Sequence, residues 1–140
     1  MTLFETISLL KKIAMKQPAV NSVGDGNIYE SLNNNPSLKY GNFFITQETH
    51  QSDEDVDRYA FVIFFVDQLD PTLEDDRLRI QSVAKTVLSN VIRTFCEDVD
   101  IDYPVINFIP FTQKFVDETA GMYARLTLEI PVDYICEEIY

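Results

Sequence analysis

Few residues in this chain are of a type that could do chemistry. His50 is its only histidine and stands between Thr49 and Gln51 at a strand end. A general base or a metal ligand needs partners, and the sequence reads His50 as exposed there with none. Cys96 and Cys136 lie forty positions apart with no Cys-x-x-Cys spacing, so they read as free thiols, and a zinc site lacks soft ligands. The serines lack a Gly-x-Ser-x-Gly elbow. "VGDGNI" has two glycines but neither the lysine nor the preceding buried strand of a phosphate loop, and reads as a turn plus a cap.

Carboxylates are the abundant reactive group. "ETHQSDEDVD" carries Glu48, Asp53, Glu54, Asp55 and Asp57, and "EDVDID" adds Glu97, Asp98, Asp100 and Asp102. Neither run has the glycine and terminal glutamate of a calcium loop. A glycosidase pair would need a cleft to set its spacing, and no pattern here announces one. The residues therefore point to no enzyme, no cofactor and no bound metal. The acidic runs read as solvated loops unless a neighbour gives them a task.

The elements that hold these residues are clearer. At 140 residues with 46% hydrophobic side chains, the chain suits a single domain spanning 1–140. Thr2 and Glu5 have capping-box spacing, and Leu3, Ile7, Leu10, Ile13 and Ala14 then share one helical face until Pro18. A second capping box, Asn27 with Glu30, predicts a short helix from about Ile28 to Leu32. "NFFITQETHQ" and "RYAFVIFFVDQL" read as a strand pair. Thr72 with Asp75 is expected to cap a long helix with the stripe Leu73, Ile80, Ala84, Val87, Val91 and Phe95, widened by Leu88 and Ile92. "DYPVINFIPFTQKF" and "GMYARLTLEIPVDY" predict two further strands around "VDETAG". In the last, Met122, Ala124, Leu126, Leu128 and Ile130 alternate with Tyr123, Arg125, Thr127 and Glu129.

The expected fold is α+β: a four-stranded, mainly antiparallel sheet with an N-terminal helix and a long central helix packed on it. One strand poses a difficulty. Tyr59, Phe61, Ile63 and Phe65 point one way, yet Ala60, Val62, Phe64 and Val66 on the other face are apolar too. The first set is expected to pack on the long helix or meet an interface. The second calls for cover from the N-terminal helix or a neighbouring subunit.

This element order, with Ile28, Tyr29 and Leu32 in the turn-helix, Lys39-Tyr40 before the first strand and Ile45-Thr46 within it, resembles bacteriophage tail-terminator and head–tail connector proteins. The acidic, asparagine-rich composition is also similar to that of proteins from phages of Bacteroidetes, including the crAss-like group. The resemblance implies a virion protein, made in the host cytoplasm, that assembles with itself into a cyclic ring of six-fold or twelve-fold symmetry. Its other partners would be the portal and neighbouring connector or tail proteins, with DNA passing through a channel and not bound specifically.

Net charge bears on the same expectation. The chain carries −12, and its basic residues are scattered, so it does not read as a protein that grips phosphate. In a ring, the loops of all subunits would converge into a negative collar that keeps duplex DNA from sticking. Asp53, Glu54, Asp55 and Asp57, then Asp117 and Glu118, are the candidates for such a lumen or rim. The long loop from Gln47 to Arg58 and the last hairpin are the expected partner-seeking segments. A different class of protein, a soluble acidic mimic of DNA that occupies a host nucleic-acid enzyme, would share the charge. The order of lysines after the first apolar residues is not that of a secretory signal, and the run from Tyr59 to Val66 is too short for a membrane helix.

Overall fold

The computed structural model describes residues 1–27, 40–114 and 118–132. The short helix expected at 28–32, Lys39, Asp117 and Cys136 fall outside them. Helix α1 spans Leu3–Met15 and begins as its capping box requires: Thr2 Oγ1 accepts from the Glu5 N–H at 3.1 Å, and Glu5 Oε1 accepts from the Thr2 N–H at 3.2 Å. Its buried side is Thr6, Leu10, Ile13 and Ala14.

Strands β1 (Ser22–Asp25), β2 (Asn42–Gln47), β3 (Gln51–Ser52), β4 (Val56–Gln68), β5 (Phe108–Lys114) and β6 (Glu118–Pro131) form one sheet, in the order β1-β2-β4-β6-β5, with β3 also on β4. The expected four-stranded antiparallel sheet is therefore corrected to a six-stranded mixed one. The additional strands are short. β1 runs parallel to β2, with Ser22 opposite Asn42 and Asp25 opposite Ile45. Its Gly24 and Gly26 look like turn residues, and only Gly26 (φ +113°) uses that freedom, just past the strand. β3 has two residues, too few for an alternation to show. The expected strand pair is present, with Asn42 opposite Val66 and Gln47 opposite Phe61. Pro110 lies in β5, which ends the sheet, and Pro131 closes β6, where a missing donor costs no ladder bond.

The long helix, α2, spans Asp76–Asp98 and not from Thr72. Asp70 Oδ1 accepts from both the Thr72 N–H (2.9 Å) and its hydroxyl (2.6 Å), so Thr72 is drawn into a local turn before it can cap. Asp75 sits in the left-handed region at φ +57°, without a side-chain cap bond. Asp76 is buried, accepting from the Asp70 N–H at 2.7 Å and from Arg79 Nε at 2.6 Å. Leu73 lies outside the helix and is exposed; the rest of the predicted stripe is buried.

Both described helices lie on one face of the sheet. Leu10, Ile13 and Ala14 of α1 and Ala84, Leu88, Val91 and Phe95 of α2 share a core with Phe43, Ile45, Phe61, Ile63, Phe65, Leu126 and Leu128. Each large apolar side chain so enclosed contributes about 1.5–3 kcal/mol. The N-terminal helix thus does not cover the second face of β4, as one of the sequence alternatives had it. On that face Phe44 and Val66 are buried, with Phe64 and Phe111 packed against them.

Candidate functional site

Registry places the predicted acidic residues. β4 is antiparallel to β6 from Val56 opposite Pro131 to Gln68 opposite Thr119, and thirteen residues extend over roughly 40 Å. Asp53, Glu54, Asp55 and Asp57 lie at the Pro131 end. Glu118 lies at the other, where Leu69 N–H donates to its carbonyl at 3.0 Å and an open groove of about 540 Å³ is lined by Gln68, Asp70, Asp76 and Glu118. The Asp53 hairpin and Glu118 therefore do not share a rim.

The Gln47–Arg58 stretch is a braced hairpin and not a loose loop. Ser52 pairs with Asp57, and the turn between them closes on Asp53. Its Oδ1 accepts from the N–H groups of Asp55 (3.0 Å) and Val56 (2.8 Å), and its Oδ2 accepts from Arg58 at 2.8 Å. Arg58 also reaches Glu129 across the strand pair at 3.3 Å. The Arg58 hydrogen bond, then those two N–H groups, hold the Asp53 carboxyl below the usual range, and Asp53 raises the Arg58 guanidinium in return. Ser52 donates to Asp57 at 2.6 Å. Arg58 is the residue that sequence reading missed here: its place five residues after Asp53 was visible, but its position opposite Glu129 needs the β4–β6 register.

The same end collects the acids after α2. The groove beside Asp100, Asp102 and Tyr103 is also lined by Thr127, Glu129 and Pro131 of β6, which fixes that stretch next to the Asp53 hairpin's end of the sheet. The Arg93 guanidinium stands 4.9 Å over the Tyr103 ring.

Tyr59, Phe61, Ile63 and Phe65 face the helices. Phe61, Ile63 and Phe65 are wholly buried, and the Tyr59 hydroxyl donates to the Met1 carbonyl at 3.1 Å. Phe61, Ile63 and Phe65 are therefore intramolecular core, while Tyr59 is half-buried at its edge. Burial, then the nearby Asp57, push the Tyr59 hydroxyl's pKa up. The opposite face instead carries a cluster of Phe64, Phe111 and Tyr123, with ring centroids 5.7–6.4 Å apart. Phe64 and Tyr123 occupy the alternate phase of their strands, and that phase was the signal for a second apolar face.

His50 has partners, contrary to its reading as an exposed and solitary residue. Its Nδ1 accepts from the Ala60 N–H at 3.1 Å, its Nε2 lies 3.0 Å from Gln47 Oε1, and the ring packs edge-on against Tyr59 and Phe61. It mends the sheet where β2 stops. Cys96 is buried among core residues, and burial followed by the charge of Asp102 pushes its thiol up, away from the reactive thiolate. Among the described residues no three histidine, cysteine or acidic side chains are grouped to hold a metal ion, and no helix is long and apolar enough to cross a membrane. No protein-family model matches the chain, and no curated protein matches it in sequence.

Proposed function

We propose that this chain is a structural virion protein that forms a cyclic ring in a phage neck or tail and joins portal or head-completion proteins to the tail around the DNA channel. The observation that carries the reading is the separation of the acidic ends of the sheet from an aromatic face. The Asp53 hairpin and the acids Asp100 and Asp102 gather at one end, while the sheet face away from the helices carries Phe64, Phe111 and Tyr123. In a ring, that aromatic face serves lateral contact, and the acidic end supplies one rim of a collar that repels passing phosphates. Asp53, Glu54, Asp55 and Asp57 form this rim; Glu118 belongs to the opposite one. The protein in this reading needs no catalytic residue and no cofactor, and its localisation is the assembled particle.

Mass spectrometry of gradient-purified particles from a culture producing this protein tests the proposal. The chain should co-purify with portal and tail proteins at about six or twelve copies per particle, resistant to a high-salt wash. Its absence from particles, with all of it recovered on a host polymerase or nuclease, would replace the ring with the DNA-mimic reading.

A further inference from the structure

β5 covers only part of β6. Its first residue, Phe108, stands opposite Ala124, so the half of β6 from Arg125 onward has no strand on that side. Which backbone groups point there follows from the hydrogen bonds at the ends of the sheet. Gly41 and Glu48 donate to the carbonyls of Val66 and Ala60, so the even residues of β4 face β2 and its odd residues face β6. The register then turns the even residues of β6 toward β4, as the Leu69 bond to the Glu118 carbonyl also requires. Thr127 and Glu129 are left with N–H and C=O groups directed past the end of β5. The bridge of Phe108 to Ala124 engages the Arg125 N–H with the Asn107 carbonyl, whereas Thr127 and Glu129 have no backbone partner on that side among the described residues. Alongside lies an open groove of about 480 Å³, walled by the segment from Asp100 to Pro104.

A row of alternating donors and acceptors beside a groove is complementary to one thing, an extended backbone. The walls select its side chains: Asp100, Asp102 and Glu129 all present carboxylates. We propose that this edge of β6 is a docking site for an extended, lysine- or arginine-bearing segment of another protein, received by strand addition. A second copy of this chain is the poorer occupant, because pairing β6 with its own copy brings the same carboxylates together. The inference does not depend on ring formation.

The probe is a short end-blocked peptide alternating lysine and valine, with its glutamate–valine counterpart as control. In amide exchange, the lysine peptide should slow the Thr127 and Glu129 N–H groups about tenfold or more, and the control should not. Thr127→Pro deletes an outward donor and should weaken binding about tenfold. Asp102→Lys, a surface change that leaves the sheet intact, should weaken it as well. Equal slowing by both peptides, or by neither, would overturn the proposal. So would slowing produced only by raising the protein's own concentration, which would assign the edge to a second copy.

Discussion

The backbone N–H of Ala60 donates to Nδ1 of His50 at 3.1 Å, so an imidazole stands where a neighbouring strand's carbonyl would otherwise be. β2 ends at Gln47 and β3 begins at Gln51, and His50 bridges the gap. Removing its acceptor leaves a partly buried donor unsatisfied and empties the space against Tyr59 and Phe61. His50→Ala should therefore destabilise the fold by about 1–3 kcal/mol in urea titration. His50→Phe, which keeps a ring but no acceptor, should recover only part of that loss.

Asp76 ties the start of α2 to both Arg79 and the Asp70 N–H. The Arg79 hydrogen bond, then the Asp70 one, hold its carboxyl below the ordinary value. Asp70 is lowered by Thr72, and Asp53 by Arg58. A depressed folded-state pKa contributes stability that is present above the unfolded value of about 3.9 and is lost as pH falls through the folded one. Acid unfolding should thus steepen below about pH 4. Asp76→Asn should lower the urea midpoint at neutral pH and flatten its fall on acidification; an unchanged acid slope would dismiss Asp76 as a source of it.

Gly121 lies where β4 and β6 come close. A Cβ there would clash with the Phe65 carbonyl oxygen and stand 3.2 Å from the Phe111 ring, and the first is backbone that cannot rotate aside. Gly121→Ala should cost about 3 kcal/mol or more, or prevent folding, as judged by thermal melting. Gly26→Ala, with open space around it but φ +113°, should cost less.

Cys96 should resist thiol reagents in the native protein. In a Cys136→Ser background, labelling should proceed at the rate of global unfolding and accelerate with urea. Rapid labelling without denaturant would contradict the burial of that thiol.

Long periodic elements were legible in the residues. The α2 stripe from Ile80 onward and the alternation of β6 each repeat one signal many times, and the structure follows them. Short or long-range features were not. β1 needs its parallel partner to be a strand at all, and the start of α2 depends on whether Asp70 or the helix captures Thr72. For the candidate site, sequence named the acidic residues but not their arrangement. Proximity in composition suggested a shared collar, whereas the β4–β6 register sets Asp53 and Glu118 at opposite ends. The second face of β4 was visible as Val62, Phe64 and Val66, but placing both helices on the other face required the packing of Leu10 and Ile13 against the sheet.

Native mass spectrometry of the purified full chain across a wide concentration range, read beside electron micrographs of the same sample, tests ring formation most directly. The account predicts a closed assembly of six or twelve copies with a hollow axis, and its loss when Phe64 and Tyr123 are both changed to serine. A single copy at every concentration, matched by particles that lack the chain, would contradict it.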